Sequence, residues 1–276
     1  MALRDNVYLL IGLAAGLTFA AMLLVFGPSL ALMIVPLGPD DPLGSTVAIN
    51  VVVFGGIAGV AAWGLTLMPS EPVRVAPSPL LVGAAFLLGA VGFLITLGLA
   101  GVAGAVQMGS HERPIAGTLL LGSLLILGQS ASEELLFRGW MQRYIIQLIN
   151  PVGGVLITAA TFALFHLLGG VRGPTTVLNL LLGGILFGLL ALKRGNIVPS
   201  VAAHFAWNWS EQTLAGLDPN PGRPPFGSIL DLDLVGRSIW GGSTEGLNAS
   251  LGMTCALVAL VVPVLAWPSG FTLARQ

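Results

Sequence analysis

The 276-residue sequence is 55% hydrophobic and 8% charged, with a formal net charge of −1 and a mean hydropathy of +0.92. Soluble domains carry about a quarter of their residues as charged side chains, so this composition excludes an ordinary water-soluble fold and places the chain in lipid. The small net charge offers no basic face for nucleic acid, and the bilayer is the first partner to be expected.

The apolar residues come in blocks of about 20, the length of a helix crossing a hydrocarbon core of about 30 Å, and not in strands of alternating polarity. Eight blocks predict an all-α polytopic membrane protein with about eight transmembrane helices: Val7–Phe26, Ser45–Met68, Leu80–Val106, Ile115–Ser132, Val152–Leu168, Val177–Leu192, Ile197–Leu214 and Leu247–Trp267. The first block follows Arg4 and is longer than the apolar core of a secretory signal, so it reads as a retained span. Ser29–Gly38 is apolar but too short to cross, and either extends the first helix or lies at the interface. Asn150-Pro151, Gly173-Pro174 and Gly195-Asn196 punctuate the later breaks.

Residues 1–114 thus hold three spans, 115–216 hold four more, 217–246 form an extramembrane loop rich in Pro and Gly, and 247–276 carry the last span. The loop is too polar to span and too long for a bare turn, which leaves a lid or a linker. Cys255, the one cysteine, lies inside the last block and reads as a small core residue; it excludes an internal disulfide. His111, beside Glu112 and Arg113, reads as solvated. With the N-terminus inside, seven of the 11 basic residues fall on the cytoplasmic side and four outside, which favours cytoplasmic termini. Ten Arg against one Lys point to a GC-rich, bacterial coding genome, and hence to the cell inner membrane.

Three later spans carry polar groups that need a reason, because a carboxylate in hydrocarbon costs a few kcal/mol. Glu133 and Glu134 are adjacent at the end of the fourth span, and if the helix continues Glu134 shares a face with Arg138 at i, i+4. Glu133, about 100° around the helix, is left without that cation and available as a base. Both acids reaching the headgroups, with Arg138 and Arg143 as anchors, is the plainer alternative. In the fifth span Phe162 stands one turn before His166, and in the seventh His204 stands one turn before Asn208. A lone histidine there is commonly structural, and Asn208 alone reads as a packing hydrogen bond. Taken jointly, a base, two imidazoles and an amide are parts for activating water and holding an oxyanion. One conflict remains: Glu133 falls near the inner end of its span and His166 past the middle of its own. Either the fourth helix runs on toward Ile149 or the fifth begins within the bilayer.

The ordered patterns EExxxR (Glu133, Glu134, Arg138), FxxxH (Phe162, His166) and HxxxN (His204, Asn208) resemble the motifs of the CPBP family, which includes type II CAAX prenyl proteases and bacteriocin-immunity proteins. The resemblance covers about Leu119 to Leu214. It implies an active site inside the helical bundle in which Glu133 activates water with His166 assisting, while His204 and Asn208 stabilise the oxyanion. Glu134 joins this catalytic group, with Arg138 and Phe162 in support. The family is named as metalloproteases, and Glu133, His166 and His204 would supply a zinc set; the same residues also serve a metal-free glutamate mechanism, which is favoured slightly. The implied activity is an intramembrane endopeptidase acting on a membrane-associated peptide or protein of unspecified identity, not assumed to be prenylated. A noncatalytic partner or immunity protein of the same fold, and an ion or proton-coupled transporter, are the competing classes.

Overall fold

The computed structural model describes residues 3–35, 41–68, 77–109, 116–217 and 225–266. His111 lies outside them, as do four of the 11 basic residues used for orientation, Arg74, Arg113, Arg223 and Arg275. Helices α1 (Leu3–Ile34), α2 (Pro42–Thr66) and α3 (Pro79–Val102) occupy the N-terminal part. The apolar stretch after the first block continues α1 as far as Ile34. Prolines open the next two helices, and side-chain caps satisfy their first amides: Asp41 accepts from Gly44 N at 2.7 Å and Ser78 from Leu81 N at 3.3 Å.

The fourth span corrects the expected boundary at Ser132. Helix α4 (Ala116–Glu134) passes without a break through a π-helical stretch, Leu135–Met141, into α5 (Gln142–Leu148). The polar run at 133, 134 and 138 interrupts the apolar block in sequence, but the helix continues because those charges are satisfied inside the bundle. Glu133 therefore sits well inside a 33-residue helical rod, which removes the conflict with His166. Beyond it, α6 (Pro151–Leu168) is capped by Asn150, and α7 (Pro174–Arg194) ends on Gly195 at φ 59. Helix α8 (Val198–Trp209) runs into a second π-helical stretch, Ser210–Ala215, and α9 (Leu251–Ala266) closes the fold.

Each predicted span is helical over most of its described length, and six of the described helices are long and apolar enough to cross a membrane. The last two are shorter than their apolar blocks, so about eight crossings is an approximate count. The protein is an all-α, multi-pass membrane protein; large apolar side chains such as Val102, Leu80 and Met33 face outward, where lipid solvates them. Cys255 is also exposed on α9, so the expectation of a core cysteine is wrong: that face of the last helix points to lipid.

Two apolar cores form. One gathers Phe93, Leu186, Trp207 and Leu257 from α3, α7, α8 and α9; the other gathers Ile57, Leu136, Tyr144 and Phe162 from α2, the long rod and α6. The loop after α8 is packed as a strap. Its β2 (Leu232–Leu234) pairs antiparallel with β1 (Val106–Met108), placing Val106 in a strand instead of the third helix. Ile229 N and Leu230 N donate to the carbonyls of Thr213 and Leu214 at 2.7 and 2.8 Å.

Close approach of α3 to α8 depends on Gly89, where an added Cβ would stand 2.0 Å from the Ala203 carbonyl oxygen. Gly89→Ala is expected to force the two helices apart at a cost of about 1–3 kcal/mol. Thermal unfolding in detergent should show a lower midpoint than wild type; an unchanged midpoint would refute this contact.

Candidate active site

The polar residues of the long rod, α6 and α8 meet between the two cores. Arg138 and Glu134 are 1% and 0% exposed, so their charges must satisfy one another within the protein. Arg138 Nη1 donates to Glu134 Oε1 at 2.9 Å and Nη2 to the Gly184 carbonyl of α7 at 3.0 Å. Gly184 also lets α7 approach α6 closely, because a Cβ there would lie 2.9 Å from Ala159 Cα. The guanidinium carbon lies 4.8 Å from the centroid of the Phe162 ring. Glu134 also accepts from His204 Nδ1 at 2.9 Å and from the Ser200 hydroxyl, both on α8.

A carboxylate only accepts, so Nδ1 of His204 carries a proton and Nε2 is turned the other way, 3.9 Å from Glu133 Oε2. Phe187 of α7 stacks on the imidazole with ring centroids 4.6 Å apart. His166 is fixed by the same logic. Its Nδ1 donates to the Phe162 carbonyl at 2.9 Å, leaving Nε2 unprotonated in the neutral ring, and its ring tilts against Phe162 at 4.5 Å. Glu133, 8% exposed, accepts on Oε1 from Gln129 Nε2 at 3.2 Å.

Glu133, His166, His204 and Asn208 all line one cavity of about 160 Å³. A larger cavity of about 470 Å³ shares Glu133 and His166 with it and is walled by Leu24 of α1, Phe54 and Ile57 of α2, and Phe165 of α6. Glu134 lines neither cavity and lies behind His204. Among the described residues no three His, Cys, Asp or Glu side chains converge as a metal site. Glu133, His166 and His204 share one cavity wall, with Glu133 Oε2 3.9 Å from His204 Nε2, and are the residues that would hold a zinc ion.

Some neighbours escaped the sequence reading. Gln129 stands one turn before Glu133 and Ser200 one turn before His204, and that i, i+4 spacing was the available signal. Glu211, buried and three residues beyond Asn208, lines the smaller cavity. Nothing in sequence marks Phe187 or Gly184, which arrive from α7 by long-range packing. The strap reaches the mouth of the larger cavity at Thr244, Glu245 and Asn248. Glu245 accepts from Arg172 N at 2.8 Å, from Gly173 N at 2.9 Å and from Thr176 Oγ1, tying the strap to the start of α7. Desolvation opposes its charge, but the hydrogen bonds from Thr176, Arg172 and Gly173 and the Arg172 guanidinium prevail, so its pKa lies below the usual carboxylate value.

Residues 115–210 match the family described as "Type II CAAX prenyl endopeptidase Rce1-like", and that segment contains every motif residue named above. No curated protein matches the chain.

Two outcomes follow from this geometry. Removing Glu134 strands a buried guanidinium, so Glu134→Ala should cost about 3–5 kcal/mol, whereas Glu133→Ala, at a cavity wall, should leave the unfolding midpoint in detergent near that of wild type; equal losses would contradict the division between the two acids. Glu245 ionises at lower pH in the folded chain than in the unfolded one, so its contribution is present above the ordinary carboxylate range and fades as pH falls through the lowered value. Hydrogen exchange of the Arg172 and Gly173 amides, corrected for intrinsic rates, should accelerate on acidification in wild type and lose that dependence in Glu245→Gln.

Proposed function

We propose that the protein is an intramembrane endopeptidase that hydrolyses a peptide bond of a membrane-associated protein or peptide with water activated by Glu133. The observation that carries this reading is the gathering of Glu133, His166, His204 and Asn208, from three helices, on the wall of one cavity, next to a larger apolar one. The Rce1-like match supports the reaction class.

Glu133 takes a proton from water as the oxygen attacks the scissile carbonyl carbon, with His166 on the same cavity wall assisting. The new carbon–oxygen bond places negative charge on the former carbonyl oxygen. Asn208, which has no hydrogen-bond partner among the described residues, donates to it through its amide. His204 donates through Nε2 in its doubly protonated form, with the Glu134 carboxylate at Nδ1 balancing the added charge. Collapse breaks the carbon–nitrogen bond as Glu133 returns its proton to the departing amine. Glu134, Arg138 and Ser200 act through His204, and Phe162 holds both Arg138 and His166.

A zinc ion held by Glu133, His166 and His204 would lower the pKa of the attacking water; the metal-free glutamate route is the one proposed, and none of these steps is routed through zinc. The excess of basic residues on one side supports cytoplasmic termini in a bacterial inner membrane. Prenylation is not assumed, and the substrate class is a membrane-tethered peptide.

The test is cleavage of a panel of membrane-tethered peptides by purified protein in detergent. Wild type should cleave, Glu133→Ala should abolish turnover, and Asn208→Ala should lower kcat by about 10²–10³. Chelator treatment should leave activity in place. Cleavage that survives Glu133→Ala would overturn the assignment, and transport of ions without cleavage would favour a relay.

A further inference from the structure

The two oxygens of Glu133 have different surroundings. Oε1 is held by Gln129 at 3.2 Å, whereas Oε2 faces His204 Nε2 at 3.9 Å. A carboxylate offers no proton, so Gln129 must turn its NH₂ toward Glu133 and its carbonyl oxygen away. No donor among the described residues occupies that carbonyl oxygen, and Gln129 lines both cavities. An open acceptor therefore stands beside the base, on the cavity side, one helical turn before it.

We infer that Gln129 is the positioning residue for the attacking water: Nε2 fixes Glu133, and Oε1 accepts a hydrogen bond from the water proton that Glu133 does not take. This rests on the hydrolytic reading of Glu133. A water bound only to a carboxylate is free to rotate about that one contact. A second acceptor on the same side leaves one lone pair to point away from both, into the cavity where a scissile carbonyl would lie. One proton then passes to Glu133 as the carbon–oxygen bond forms. The other stays on the oxygen of the tetrahedral adduct, hydrogen-bonded to Gln129. Glu133 later gives its proton to the leaving nitrogen, so Gln129 itself gains and loses nothing.

Gln129→Met keeps the bulk of the side chain and removes both amide functions. In the full-length protein in detergent, with the peptide panel above, it is expected to lower kcat by roughly ten- to a hundredfold while leaving KM within about twofold, since the amide touches water and not the peptide. A second readout needs no turnover. The carboxylate stretching band of Glu133, isolated in the infrared by subtracting Glu133→Gln from wild type, should shift in a Gln129→Met background because one hydrogen bond to Oε1 is gone. Loss of kcat together with a shifted band supports the inference. An unmoved band, or kcat and KM changing together with a lowered unfolding midpoint, would reduce Gln129 to packing and overturn it. A shifted band in a protein that cleaves no peptide would leave the Gln129 to Glu133 contact standing while the hydrolytic reading, and the water-holding role with it, falls.

Discussion

The buried ion pair between Glu134 and Arg138 is the constraint on which the rest of the site depends. Two charges sealed from water inside an apolar bundle are tolerable only when nearly every polar atom is matched, and here the partners come from different helices: Gly184 from α7, Ser200 and His204 from α8. Satisfying the pair therefore fixes where α7 and α8 stand relative to the long rod. It also fixes the orientation of the His204 ring, because the carboxylate accepts from Nδ1 and leaves Nε2 on the side of Glu133.

The same pair explains why two adjacent acids end in different situations. Glu134 points into the helix interface and is consumed there. Glu133, one residue earlier, points to the cavity and is held by a neutral amide. The π-helical stretch that starts at Leu135 lies where this division is made, and a second one follows directly on Asn208 and Trp209. Local widening of a helix shifts the register of the side chains after it, which is why such stretches recur at functional sites.

The residues that carry the proposed hydrolysis lie within the Rce1-like segment, and the larger cavity beside them is lined by Leu136, Phe137 and Phe165 of that segment together with Leu24, Phe54 and Ile57 and the strap around Glu245. Hydrolysis of a peptide bond needs the same donors and acceptors whatever the substrate, whereas the fit of a particular side chain depends on the wall.

The sequence by itself determined the membrane environment, the helical class, most helix starts and the three pairs of polar residues, because each of these is a local property: block length, a proline or cap, or an i, i+4 spacing. It misplaced the end of the fourth helix, since a charged run looks like a terminus until its partners are known, and it buried Cys255, since an apolar block does not reveal which face meets lipid. Only the tertiary structure closed Glu134 and Arg138 off from water, brought Phe187 and Gly184 of α7 to the site, and turned the loop after α8 into a strap. Those outcomes depend on contacts between residues far apart in the chain, where helix packing and the matching of buried charges select one arrangement from many that the local pattern allows.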